Sequence, residues 1–135
     1  MWLIAEDEMD IRNLVETLCQ AWGYEAMSFE NGSNVWGWLD EVEAGRYHGP
    51  LPDFALMDIR MPGKRGDELA YRMRSIPAVQ NVPVVLMTAF SLNQNQRDDM
   101  MKFGVDEIIN KPLPDFDVLY AKLHDVMYTK QQSLT

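Results

Sequence analysis

Positive charge is scarce in this sequence. Twelve Lys and Arg face 21 Asp and Glu, giving a formal charge of -9 at pH 7. Binding to a nucleic-acid backbone rests on basic side chains neutralising phosphates, so the composition argues against direct nucleic-acid contact. Cysteine is scarcer still. Cys19 stands alone and cannot close an internal disulfide. It falls in the helical apolar series Ile11, Leu14, Val15, Leu18 and Trp22, where a packed thiol is expected rather than a redox centre. Apolar runs long enough to span a bilayer are missing, and so is the charged start, apolar stretch and small-residue cleavage site of a secretory leader. No membrane association is expected, and the location implied is cytoplasmic. The two histidines, His48 and His124, lack partners at metal-ligand spacing and read as surface residues.

What the chain has is an apolar fraction of 47%, sufficient for the core of one domain, and a regular alternation of strand-like runs with helix-period segments. That alternation predicts a parallel sheet with helices on both faces. The first helix is predicted over residues 8–22, with Gly23 as its stop, and the second strand over residues 24–29. The polar run at residues 31–34 supplies capping groups for a second helix ending near Gly45, with Val35, Trp38, Leu39 and Val42 on one face. Trp36 cannot point inward with Trp38; it is either an exposed partner contact or a cover for Tyr47 and His48. Residues 46–53 contain Gly49-Pro50 and Pro52 and read as a loop. Leu69, Met73 and Ile76 define a third helix bounded by Pro77, followed by a strand over residues 82–87. Residues 91–103 make the weakest helix, because only Leu92 is strongly apolar in its first half. Gly104 stops it. Phe116, Leu119, Tyr120, Leu123, Val126 and Met127 define a firm last helix. The expected domain is residues 1–129, with residues 130–135 as a frayed tail.

Chemistry gathers where the strands end. Glu6 and Asp7 follow Trp2-Leu3-Ile4-Ala5. Asp58 follows Phe54-Ala55-Leu56-Met57 and precedes Ile59-Arg60-Met61-Pro62-Gly63. Thr88 and Ala89 follow Val84-Val85-Leu86-Met87, and Lys111-Pro112 closes the run from Val105. In an open parallel sheet the carboxyl ends of the strands form the ligand-binding edge. A carboxylate there can act as a nucleophile toward a phosphoryl group. Glu6, Asp7 and Asp58 carry -3 together, or -2 with Lys111, a charge that would repel an anionic donor. A hard divalent cation with oxygen ligands brings the sum to zero, and Mg²⁺ is the natural choice.

In these positions the chain resembles the receiver domain of two-component response regulators, over nearly its whole length. The resemblance implies a doubly wound, five-stranded parallel sheet in the flavodoxin-like order 2-1-3-4-5. It implies Asp58 as the phosphorylated residue, with Thr88 and Lys111 as the groups that engage the phosphoryl oxygens. It implies Mg²⁺, with Mn²⁺ as a possible substitute, on Asp7, Asp58 and the Arg60 carbonyl, with Glu6 acting through water. Glu6 stands where many receivers have Asp. Ala89 would leave the phosphoryl group room, Arg60 and Phe90 would govern its lifetime, and Lys111-Pro112 would be cis. Family members use an aromatic residue three positions before the Lys as a reporter; here that position is Ile108. The implied partners are a sensor histidine kinase or histidine phosphotransfer protein, and a downstream effector or fused output domain. A homodimer through the face of the fourth helix, fifth strand and last helix is possible, with Arg97, Lys102 and Asp106 offering pairing groups.

Three other readings compete, one of them a flavin-binding module, which would need a phosphate-cradling loop after the first strand, where this chain has Glu6-Asp7-Glu8. A haloacid-dehalogenase-like phosphatase would need an acid two positions after its nucleophile, where this chain has Arg60. A passive docking domain would not need Asp7, Asp58, Thr88 and Lys111 together. Catalysis beyond the domain's own phosphorylation and dephosphorylation is not expected.

Overall fold

The structure, a computed structural model, describes residues 1–134. Five strands, β1 (Trp2–Ala5), β2 (Ala26–Phe29), β3 (Phe54–Asp58), β4 (Val84–Thr88) and β5 (Glu107–Asn110), alternate with helices α1 (Met9–Ala21), α2 (Gly32–Glu43), α3 (Gly66–Met73), α4 (Gln94–Lys102) and α5 (Phe116–Ser133). All strand pairs are parallel, in the order β2-β1-β3-β4-β5. This is the order expected from the sequence. The register sets Trp2 beside both Ala26 and Phe54, and Asp58 beside Met87.

Strand alternation divides the core into two layers. Trp2 and Ile4 of β1 face Val15 and Cys19 of α1 and Leu119 and Leu123 of α5. Leu3 and Ala5 face Val35 and Leu39 of α2 and Leu69 and Met73 of α3. Because both faces are covered, β1, β3 and β4 are buried throughout, and they are apolar up to the closing Asp58 of β3 and Thr88 of β4. Each fully buried Leu or Ile stabilises the fold by roughly 1.5–3 kcal/mol, so these three strands anchor it.

The helix ends follow local chemistry. Gly23, Gly45 and Gly104 adopt positive φ just after α1, α2 and α4. The Asn31 side chain accepts from the Asn34 amide at 2.8 Å, starting α2. Asn93 and Gln96 form a reciprocal capping box at 2.8 and 2.9 Å. This box compensates for the poverty of α4, which has no buried residue of its own. The helix therefore starts at Gln94, three residues later than the apolar pattern suggested.

Several expectations are corrected. Residues 24 and 25 precede β2 rather than belonging to it, and the Tyr24 amide instead bonds the Cys19 carbonyl at 3.0 Å. Ile76 lies beyond α3, in turns that follow Met73. The expected frayed tail is helical through Ser133, held by Lys130 Nζ on Asp106 Oδ1 at 3.1 Å; Thr135 lies outside the described residues. His124 is no ordinary surface residue. Its Nδ1 bonds the Tyr120 carbonyl at 2.8 Å, its Nε2 meets the Tyr24 hydroxyl at 2.8 Å, and its ring stacks on Tyr120 at 3.8 Å. Trp38, not Trp36, packs on Tyr47, with ring centroids 5.5 Å apart. Asp106 is committed internally, accepting from Arg74 at 2.9 Å and from the Val84 amide at 2.8 Å as well as from Lys130.

Candidate functional site

The parallel arrangement brings the carboxyl ends of β1, β3, β4 and β5 to one edge. Glu6 follows β1 directly, and its amide bonds the Phe29 carbonyl at 3.1 Å. Its own carbonyl accepts from the Arg12 guanidinium at 2.8 Å, which ties the first turn of α1 to the site. Arg12 was not singled out by its sequence context, since a lone Arg on a helix carries no pattern. Asp58 is the last residue of β3, and the Ile59 amide continues the ladder to the Met87 carbonyl at 2.9 Å. Thr88 ends β4, and its carbonyl accepts from the Lys111 amide at 2.7 Å. Lys111 follows β5, and the Lys111–Pro112 peptide is cis.

Two glycines shape the turn after Asp58. A side chain at Gly66 would strike the Asp58 carbonyl oxygen, so only glycine lets α3 begin against the end of β3. Gly63 has φ +84°, and a side chain there would meet Ser33 at the start of α2. The Gly32 amide bonds the Pro62 carbonyl at 3.0 Å, which fixes the turn from its other side. Gly66 was invisible in the sequence because it belongs to no turn dipeptide.

The polar groups converge as a charged cluster. Lys111 Nζ donates to Glu6 Oε1 at 2.5 Å and to Asp58 Oδ2 at 3.1 Å. Oxygens of Glu6, Asp7 and Asp58 all lie within 4.8 Å of one another. Glu6 is fully buried, Asp58 is 6% exposed and Asp7 is open to solvent. The buried Glu6 Oε2 has no hydrogen-bond partner. The Thr88 side chain accepts from the Phe90 amide at 3.0 Å, and Thr88 itself is buried. The Arg60 amide stands 3.4 Å from Asp58 Oδ1, while the Arg60 side chain turns away and stacks on Phe90. Ala89 follows Thr88 directly and is exposed. Ile108 is buried in the layer beneath α3 and α4, not poised at the surface.

Electrostatics mark the cluster as short of positive charge. Burial, with the neighbouring Asp58 carboxylate, raises the Glu6 pKa to about 8, against the lowering influence of Lys111. Burial alone would lower the Lys111 pKa, but Glu6 and Asp58 together outweigh it and hold the ammonium above its ordinary value. The buried Glu6 carboxyl, with one oxygen unpaired, sits beside two further carboxylates. That donor set of hard oxygens fits a divalent cation. Elsewhere in the core, burial pushes the Cys19 thiol up to about 11, as suits an inert packed side chain.

An open parallel sheet in this order, with a lysine-bridged acid cluster at its carboxyl edge, is a flavodoxin-like architecture. The chain belongs to the response regulator receiver domain family, whose sequence profile matches residues 2–124. It is therefore a CheY-like receiver of two-component signal transduction. Among curated relatives, the phosphate regulon transcriptional regulatory protein PhoB of Pseudomonas aeruginosa is 28% identical over 93% of this chain and 50% of its own length. The cyclic di-GMP phosphodiesterase response regulator RpfG of Xanthomonas campestris is 28% identical over 97% of this chain and 32% of its own length. The chain thus spans half or less of these relatives. A CheY-like receiver domain protein from Methanospirillum hungatei shares the fold with a TM-score of 0.77 at 19% identity, covering 98% of this chain and 96% of that one. The receiver domain of the Francisella response regulator 1452 does so with a TM-score of 0.75 at 20% identity, covering 95% and 96%. Among the described residues, no helix is long and apolar enough to cross a membrane.

Proposed function

We propose that Asp58 accepts a phosphoryl group from a phosphohistidine donor, a sensor kinase or a phosphotransfer protein, and that the change is read on the α4–β5–α5 face. The observation carrying this reading is the contact of Lys111 Nζ with Asp58 Oδ2 at 3.1 Å in a pocket that also holds Glu6 and Asp7. In the step, an Asp58 carboxylate oxygen bonds to phosphorus while the phosphorus–nitrogen bond of the donor breaks and its electron pair returns to the imidazole. Lys111 is already aimed at the carboxylate and would follow the new phosphoryl oxygens as a compact charge. The Thr88 hydroxyl, one strand away, would supply a neutral donor.

Asp7, Asp58 and the Arg60 carbonyl would hold Mg²⁺, or Mn²⁺ in its place, with Glu6 acting through water. The ion supplies the positive charge that lets an anionic donor approach three carboxylates. The unpaired Glu6 oxygen and its raised pKa support this assignment. Beside Lys111, the side chains of Ile11, Leu14 and Leu18 on α1 and of Leu113 and Phe116 across the loop line an apolar recess of about 390 Å³. A donor protein reaching Asp58 meets this rim, and the recess offers it apolar contact. On the output side, α4 lacks buried anchors, which suits an element with two arrangements of similar energy.

The test uses acetyl phosphate and intact-mass spectrometry. Wild type should gain one phosphoryl group with Mg²⁺ and none with a chelator, while Asp58→Asn should gain none. Equal modification of wild type and Asp58→Asn would overturn the assignment.

A further inference from the structure

The turn from β1 into α1 carries two of the three clustered carboxyls, those of Glu6 and Asp7. It has little of its own to hold it. The Glu8 side chain makes no capping bond at the start of α1, whereas α2 and α4 begin on the side chains of Asn31 and Asn93. Asp7 is the weakest point. Its side chain is open to solvent, and no hydrogen bond or ion pair among the described residues holds it, yet an Asp7 oxygen lies within 4.8 Å of oxygens of Glu6 and Asp58. Its place is therefore set by the main chain of the turn. From the sheet side, the Glu6 amide is fixed on the Phe29 carbonyl at 3.1 Å. From the helix side, the Glu6 carbonyl accepts from Arg12 Nη1 at 2.8 Å, in a part-buried bond across six residues of chain.

Arg12 has alternatives that it does not take. Glu8 stands four residues before it and Glu16 four residues after it, the spacing at which a helical Arg pairs with a carboxylate. Among the described residues Arg12 forms no ion pair, and the bond of its half-buried side chain goes to the Glu6 main chain instead. The cation that pairs with the acids themselves is Lys111, which reaches the side chains of Glu6 and Asp58 but not Asp7. The two cations thus divide the work: Lys111 meets carboxylates, and Arg12 meets the backbone that carries them. A planar guanidinium suits the second task, because its donors are held in a fixed plane and it loses less freedom per bond than a lysine ammonium does.

We propose that Arg12 is a positioning residue for the divalent-cation site: its bond to the Glu6 carbonyl sets the β1–α1 turn so that Asp7 presents an oxygen beside Asp58. The inference rests on the reading of the acid cluster as a Mg²⁺ site and does not need Asp58 to be phosphorylated. Charge alone assigns Arg12 the opposite effect. A guanidinium beside a cation site repels the incoming ion, so removing a mere charge should tighten Mg²⁺ binding. Removing a group that orients a ligand should weaken it. The sign of the change therefore separates the two roles.

The test is calorimetric titration of Mg²⁺ into the full, unphosphorylated chain, wild type against Arg12→Met, which keeps an unbranched apolar stem and removes both the charge and the bond. Arg12→Met should bind Mg²⁺ about tenfold more weakly, as loss of an outer partner costs a metal site. Amide hydrogen exchange at residues 6–9 should quicken in the variant. A second measurement needs no variant. In nitrogen-15 NMR of the wild type, the Arg12 guanidinium should show slowed rotation and resolved Nη protons, and added Mg²⁺ should shift them. Mg²⁺ binding by Arg12→Met that is equal to or tighter than that of the wild type would overturn the proposal while leaving the cation site standing. So would a lowered melting temperature with unchanged Mg²⁺ affinity, which would make Arg12 a structural residue only, or Nη signals averaged like those of a free side chain. A wild-type chain that binds no Mg²⁺ would overturn the cation reading itself, and this inference with it.

Discussion

The guanidinium carbon of Arg60 lies 4.1 Å from the centre of the Phe90 ring, joining the loop after β3 to the loop after β4 directly beside Asp58. The pair stands two residues beyond Asp58 and two beyond Thr88, and neither member can act as a base toward water. If Asp58 is phosphorylated, hydrolysis of the acyl phosphate should therefore be slow. Phe90→Glu, which breaks the stack and introduces a carboxylate, should shorten the lifetime by about tenfold or more. Arg60→Asn should shorten it less. Decay followed after removal of the donor checks this, and unchanged lifetimes in both variants would remove the stack from the account.

Glu6 ties stability to pH and to the cation. Its pKa rises from 4.5 to about 8 on folding, so the native state binds the proton more tightly than the unfolded chain does. The stability this contributes is complete below pH 4.5 and is lost as pH climbs to about 8. Without divalent cations, urea unfolding should show a decline of up to a few kcal/mol across that window. Glu6→Gln should flatten the decline, and saturating Mg²⁺ should oppose it. A wild-type curve that stays level without cations would contradict the reading of Glu6.

Gly66 is the point at which α3 can begin against Asp58. Gly66→Ala drives a methyl group into the Asp58 carbonyl and should destabilise the domain by about 1–3 kcal/mol while displacing the acid cluster. Denaturant melts measure the first effect, and Mg²⁺ titration followed by tryptophan fluorescence measures the second. Gly37, which has open space around it, supplies the control: Gly37→Ala should be neutral or mildly stabilising.

The fourth helix should report the state of Asp58. It is held by its capping box, by Met100 and by the Arg97 guanidinium on the Ile108 carbonyl at 3.3 Å, with no buried residue. Ile108 is buried and β-branched, so a large rotamer swing there is disfavoured and the response falls to α4. Hydrogen exchange with and without beryllofluoride should change most at residues 91–103. Equal protection there in both states would rule out this route.

The strands and the acid cluster at their carboxyl edge were legible because their signals are short-range. A buried parallel strand writes itself as an apolar run, and the first polar residue after the run marks the sheet edge, as Glu6, Asp58 and Thr88 do; Lys111 follows the shorter run Ile108-Ile109, with Asn110 between. Contacts across the chain were not legible. His124 is a surface residue by spacing, yet α5 lays it against Tyr24, 100 positions away. Asp106 reads as a free pairing group, but Arg74 and Lys130 meet it only once α3 and α5 have packed. The capping box of α4 sits in its sequence as Asn93 and Gln96, and it sets the start of the helix where the apolar pattern is too sparse to do so.

The most direct measurement is chemical trapping of the acyl phosphate. After incubation with acetyl phosphate, borohydride reduces an aspartyl phosphate to homoserine, and peptide sequencing by mass spectrometry locates it. The account predicts homoserine at position 58 when Mg²⁺ is present and none when it is chelated. Homoserine at another acidic position, or at position 58 regardless of the cation, would contradict it.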